Sequence, residues 1–444
     1  MTPDARLSAT IEILQTIDGV NTAANIILRA YFRSRRYAGS KDRRAVGNHV
    51  FRVIRHRARL DWWIAGAAGN LRPSARLRTL ASIVILDEET TEGIHFLFYD
   101  AAHSPGSLTP NEEEMVSNLT GKALHHPAMP LGVIHEVPEW LDKLLQKKWG
   151  ENFGAEMTAL NYTAPVDVRV NIGRVSRSQA RKSLSKNDIK TEPTVLSPTG
   201  LRLVERADLE KTKAFKKGLI EIQDEGSQLV ALLCEVKPGM TVVDYCAGAG
   251  GKTLALADLM ALQGAETDTG LLIACDVSVK RLSLMDERLK RAGIQRVRKL
   301  IVDDLNSTKE LEGTADRVLV DAPCSGIGSW RRHPEARWRL TQHELDQHIK
   351  EQKIILATSA RLIRPGGRLV YATCSLLDQE NQEQITTFLA DHPDFKLMPI
   401  KDIWARIVGT ECPTEGQDLL LSPAATNTDG FYCAVMERKA AKGL

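Results

Sequence analysis

The short apolar run 241-TVVDY-245 leads into 244-DYCAGAGGKT-253, where Gly248, Gly250 and Gly251 fall within four residues just before a helical segment. A loop of this kind lets the backbone approach a ligand closely and aim N–H groups at it. A P-loop requires G-x-x-x-x-G-K-[ST], but Cys246 stands where its first glycine should be. A dinucleotide fingerprint, G-x-G-x-x-G, starts correctly at Gly248 and Gly250 and fails at Thr253. Taken alone, the loop also reads as a tight turn packed with small residues.

The sequence around it narrows the choice. Further apolar runs follow at 271-LLIAC-275, 298-RKLIV-302, 316-DRVLVD-321, 368-RLVYAT-373 and 430-GFYCAVME-437, separated by helix-sized segments. That alternation predicts an α/β domain with a parallel sheet and helices on both faces, which binds ligands at the carboxyl ends of its strands. Acidic residues recur at those ends: Asp244, Asp276, Asp303 within 301-IVDDL-305, and Asp321. Asp304 is the alternative to Asp303, since strand ends are uncertain by a residue or two. One such acid is usually a helix cap or a solvated turn. Four in succession, with a glycine loop on the first strand, predict a nucleoside pocket in which Asp276 accepts ribose hydroxyls.

Two cysteines fall on the same edge, Cys324 in 321-DAPCSG-326 and Cys374 in 371-YATCS-375. A free thiol ionises near pH ~8.5 and is strongly nucleophilic as the thiolate. Packing accounts well for Cys234, Cys246, Cys275 and Cys433, but less well for this pair, because loops at strand ends collect catalytic groups. The seven cysteines are odd in number and contain no C-x-x-C, so neither a disulfide framework nor a metal site is expected.

Here a resemblance becomes visible. Residues 219–440 resemble the RNA cytosine methyltransferases of the RsmB/NOP2/Sun family in IQDEGSQL (222–229), VVDYCAGAGGKT (242–253), DAPCSG (321–326), RRHPE (331–335), RPGG (364–367) and YATCSLLDQEN (371–381). Ala249 departs from the family, many of whose members carry proline there. Earlier, 40-SKDRR-44 and 59-RLDWWI-64 resemble the NusB-like domain of the bacterial RsmB branch. The resemblance implies a class I S-adenosylmethionine-dependent methyltransferase domain, Rossmann-like, preceded by an all-α NusB-like domain and a small α+β subdomain. It implies Cys374 as nucleophile, Cys324 as release residue and Asp321 as the group holding the ring. DNA cytosine methyltransferases use the P-C cysteine as nucleophile, so reversed roles are the rival assignment. It further implies S-adenosyl-L-methionine bound by Cys246, Ala247, Gly248, Ala249, Gly250, Gly251 and Lys252 with Asp276, Asp303 and Asp321. The substrate implied is RNA, 16S ribosomal RNA before tRNA, and not DNA. A non-catalytic RNA-binding or ribosome assembly factor is the reading from another class.

Helical apolar spacing in the first ~130 residues and the change of character near 137 predict three domains: 1–134, 137–218 and 219–440. The 444 residues carry a net charge of only +3, but unevenly. Residues 29–59 hold 11 basic side chains, among them Arg33, Arg35 and Arg36, and one acid, Asp42. Residues 161–220 hold 13 basic and 6 acidic side chains. Both read as phosphate-binding footprints. With 43% hydrophobic and 26% charged residues, no apolar run of ~18 residues and no signal-peptide pattern, the expectation is a cytoplasmic, monomeric protein without a membrane partner.

Overall fold

Helices build the first ~130 residues, as the apolar spacing predicts, and continue through Phe153–Asn161. The computed structural model describes residues 1–67, 71–261, 270–304 and 306–440, so that Leu305 of the IVDDL stretch lies outside the described residues. Two compact units emerge: Met1–Tyr162 with Trp330–Leu340, and Thr163–Ser329 with Thr341–Leu444. None of the helices described is long and apolar enough to cross a membrane.

In the first unit, Pro3–Gly19, Ser40–Arg55, Arg57–Ala67 and Ala75–Leu86 present one apolar stripe each to a common core. Val46, Val50 and Val53 repeat at the helical period, and all are buried, as are Leu60, Ile64 and Leu80. Their ends are specified locally. Ser74 caps Ala75–Leu86, and Thr109 with Glu112 forms a reciprocal capping box on Pro110–Leu119.

Residues 330–340, which contain the RRHPE stretch, also pack in this unit. Trp330 is fully buried beneath the Arg337 guanidinium, which stacks 4.5 Å from the ring centroid. Arg337 donates to the Glu136 carbonyl at 2.9 Å, and Trp338 Nε1 to the Ile54 carbonyl at 3.0 Å. The Glu335 carboxylate accepts the Ala24 N–H at 2.9 Å. The helix Glu139–Trp149 buries Leu141 and Leu145 and lies in the same compact unit as 330–340.

The second unit opens with a four-stranded antiparallel sheet of β1 (Asp167–Val170), β2 (Thr191–Pro193), β3 (Gly200–Leu203) and β4 (Ile220–Ile222), in the order β2-β3-β1-β4. The helix Arg177–Ser185 closes one face with Ala180 and Leu184. The main sheet follows: β5 (Thr241–Asp244), β6 (Leu271–Asp276), β7 (Val297–Ile301), β8 (Ala315–Asp321), β9 (Ile363–Thr373), β10 (Phe395–Leu397), β11 (Leu419–Leu421) and β12 (Phe431–Arg438). Its order is β10-β12-β9-β8-β5-β6-β7, with β11 paired to β12. Strands β5 to β9 are parallel. The run at 430–437 departs from the simple alternation: β12 is antiparallel to β9 and to β10.

Alternate residues feed two cores. Val242, Leu272, Leu319 and Val370 face one side, and Val243, Ile273, Val318 and Tyr371 the other. A sheet covered on both faces reads as near-continuous apolar strands. The strand order reverses between β5 and β8, which opens a crevice at their carboxyl ends.

Candidate active site

Strand β5 ends at Asp244, fully buried, which accepts the Thr253 hydroxyl at 2.6 Å. Burial pushes its carboxyl up to about 7. The glycine loop follows. Gly250 has φ 82°, and a Cβ there would stand 2.4 Å from Met285 Cγ, so both conformation and space demand glycine. The loop is braced by its neighbours: Ala247 N–H donates to the Cys275 carbonyl at 2.8 Å, and Arg288 to the Ala249 carbonyl at 2.5 Å. Gly251 begins the helix Gly251–Leu259.

Beyond the loop lies a cavity of about 710 Å³. Its walls come from the ends of successive strands: Tyr245 and Cys246 after β5, Asp276 and Val277 at β6, Asp303 and Asp304 after β7, Asp321 and Cys324 at β8, and Cys374 after β9. The helix Gln342–Ala360 adds Glu351, Ile354, Ile355 and Thr358. Of the predicted loop residues only Cys246 is a wall residue; Ala247 to Lys252 shape the turn behind it.

Asp276 reaches the cavity, but its oxygens already accept the Gly248 N–H at 2.7 Å and the Ser278 N–H at 2.8 Å, with Arg281 at 3.4 Å. It braces the glycine loop as well as lining the pocket. Asp303 and Asp304 are both exposed and both accept the Ser307 hydroxyl. Asp304 also accepts the backbone N–H groups of Asn306 and Ser307, at 2.9 and 2.8 Å, so it is committed to its own turn. The Ser307 hydroxyl and these amides hold its carboxyl below the usual range. Asp303 is the freer carboxylate.

Lys252, given to the cofactor loop by the resemblance, pairs with Asp321: Nζ stands 2.6 Å from Oδ2. Burial works against the ammonium charge, but Asp321 and Cys374 more than offset it and raise the lysine above its ordinary value. The Cys324 and Cys374 sulfurs lie 3.4 Å apart, as expected of two loops on one sheet edge. The hydrogen bond to Cys374, burial and the charge of Glu380 push the Cys324 thiol well up.

The residues suit S-adenosylmethionine. The volume is that of a cofactor pocket. Val277 and Ile354 are 75% and 63% exposed, apolar surface of the kind an aromatic base covers. Five carboxylates against Arg281 in the wall favour a cationic sulfonium. Sequence reasoning missed Val277, Arg281, Glu351 and Ile354, which carry no motif, and gave no role to Glu380, which stands inside a quoted block.

The sheet order, the braced glycine loop and the acids on successive strand ends define a class I S-adenosylmethionine-dependent methyltransferase. The model of the family described as 16S rRNA methyltransferase RsmB/F matches residues 231–437, and that of its ferredoxin-like domain matches 137–210. A curated relative from Synechocystis, "Probable ribosomal RNA small subunit methyltransferase B", is 32% identical over 320 residues, covering 71% of this chain and 70% of its own. Among solved structures, PH0851 is 25% identical with a TM-score of 0.81 over 99% of both chains. NSun6 from Pyrococcus horikoshii, solved with SFG, shares the fold at 20% identity and a TM-score of 0.60, over 68% of this chain and 99% of its own. The chain belongs to the RsmB/F family of methyltransferases.

Proposed function

We propose that the chain methylates carbon 5 of a cytosine in RNA, with 16S ribosomal RNA as substrate, through a covalent bond between Cys374 and the base. The observation that carries this reading is the pair of sulfurs 3.4 Å apart beside the Lys252–Asp321 pair.

Carbon 5 of cytosine is too weak a nucleophile for direct methylation. Addition of the Cys374 thiolate at carbon 6 makes carbon 5 carbanion-like, which splits one hard step into easier ones. Asp321 protonates the ring at N3 as Cys374 adds, and the Lys252 ammonium beside it stabilises the carboxylate that this leaves. S-adenosylmethionine in the cavity walled by Cys246, Asp276, Asp303 and Asp321 would supply an electrophilic methyl group. Cys324, its own proton first released to solvent, then takes the carbon-5 proton as the thiolate, and departure of the Cys374 thiolate restores the ring.

RNA is held through phosphates by exposed cations: Arg29, Arg33, Arg36, Lys41 and Arg44 in the helical unit, and Arg181, Lys182, Lys213, Lys216 and Lys217 in the other. A base within folded RNA must be unstacked to reach such a pocket, so firm backbone positioning is required.

The test is to express each cysteine variant with RNA. Cys324→Ser should accumulate a covalent protein–RNA adduct and Cys374→Ser none. The reverse pattern overturns the assignment of the two thiols, and an absence of adduct and of 5-methylcytosine overturns the chemistry.

A further inference from the structure

Glu380 is fully buried and is not one of the residues that wall the cavity. Its carboxylate nonetheless accepts four donors. Oε1 takes the Ser325 N–H at 2.8 Å and Gln352 Nε2 at 3.0 Å. Oε2 takes the hydroxyls of Ser325 and Ser375, which also contact each other at 3.1 Å. Ser325 directly follows Cys324, and Ser375 directly follows Cys374. Gln352 extends the tie by donating to the Pro323 carbonyl at 2.9 Å.

We propose that Glu380 is a positioning residue, whose carboxylate binds the Cys324 loop to the Cys374 loop, fixes the spacing of the two thiols and sets a negative charge near Cys324. This rests on reading Cys324 and Cys374 as the working pair. Four donors converging on two oxygens is what an ionised carboxylate accepts and what no neutral side chain accepts in full. Hydrogen bonds to a charged acceptor are the stronger kind, so the tie holds two loops that fifty residues separate. Cys374 and Glu380 disfavour the Cys324 thiolate, and the Gly326 N–H favours it.

Glu380→Gln separates charge from shape. Glutamine is isosteric, but its amide nitrogen cannot accept the two serine hydroxyls, so the shape is kept while that side of the tie and the negative charge are lost. In the full-length protein, with S-adenosylmethionine affinity and circular dichroism unchanged, kcat for methyl transfer to a small-subunit rRNA transcript should fall about a hundredfold with KM unaltered. Iodoacetamide should alkylate Cys324, followed by mass spectrometry of its peptide, about tenfold faster at a given alkaline pH. Ser375→Ala removes only the hydroxyl on the Cys374 side. It should lower kcat about tenfold while Cys324 alkylates at the wild-type rate, and it decides the matter if Glu380→Gln fails to fold. Wild-type kcat and wild-type Cys324 reactivity in Glu380→Gln, or wild-type kcat in Ser375→Ala, overturn the proposal. A wild-type enzyme that transfers no methyl to cytosine, with alkylation still accelerated in Glu380→Gln, overturns the cytosine reading and leaves the link from Glu380 to Cys324 standing.

Discussion

Lys252, in the helix that follows β5, and Asp321, at the end of β8, face each other at 2.6 Å, with the lysine buried and the aspartate's side chain one-third exposed. The lysine is thus a fixed counter-charge for the one carboxylate that both the cofactor cavity and the cysteine loop share.

Replacing Lys252 by methionine leaves Asp321 without its cation. Single-turnover methyl transfer should fall about 10²-fold, since a preorganised charge next to the reacting ring is lost. The stability loss in urea should stay near 1–2 kcal/mol, because water reaches Asp321. S-adenosylmethionine should still bind, Lys252 being outside the cavity wall; an affinity loss matching the rate loss would put the ammonium on the cofactor instead.

Asp303 and Asp304 make a second comparison. Asp303→Asn should weaken S-adenosylmethionine binding about tenfold by calorimetry, the scale of one hydrogen bond to a charged group. Asp304→Asn should cost less, because its oxygen keeps accepting from Asn306 and Ser307. The opposite ranking would make Asp304 the cofactor ligand.

The basic segment 29–59 divides into two classes. Arg52 pairs with Asp87, Arg57 with Asp18 and Arg59 with Glu136, while Arg35 lies over the Tyr31 ring and reaches Glu12. Neutralising Arg33, Arg36 and Arg44 together should weaken RNA binding and reduce its salt slope by about 2–3. Neutralising Arg57 and Arg59 should lower the melting temperature instead. An unchanged salt slope in the first variant would remove this surface from RNA binding.

His56 gives a pH dependence. Burial, and then the charges of Arg59, Arg52 and Arg55, hold its imidazole down at about 4. Its Nδ1 meets the Arg59 guanidinium at 2.9 Å. Because the folded value lies below the ordinary one, its stabilising contribution is complete above pH ~6.5 and is lost as the pH falls from there towards 4, by at most ~3 kcal/mol. Urea unfolding at neutral and at mildly acidic pH should show a smaller loss in His56→Gln than in wild type. Equal losses would mean that His56 ionises freely in the folded state.

What the sequence made legible was whatever sits on contiguous motifs. The glycine loop, Asp276, Asp321 and the two cysteines are all strand-end residues, and parallel strands converge there, so spacing along the chain became proximity in space. Lys252 stood in the motif, but only the fold shows that a residue 69 positions later takes its charge. Glu351 and Ile354 enter the cavity because one helix happens to cross it, which no local pattern encodes. The charge count in 29–59 overstated the phosphate-binding surface for a similar reason: composition does not reveal which arginines are answered by Asp18, Asp87 or Glu136.

The segment Trp330–Leu340 has a temporal implication. The helical unit is encoded first, yet Trp330 and Arg337 belong to its interior. During vectorial synthesis it cannot reach its final packing until residue 340 of 444 has left the ribosome, when β5 to β8 have already emerged. The two units must therefore mature almost together, although one of them begins the chain.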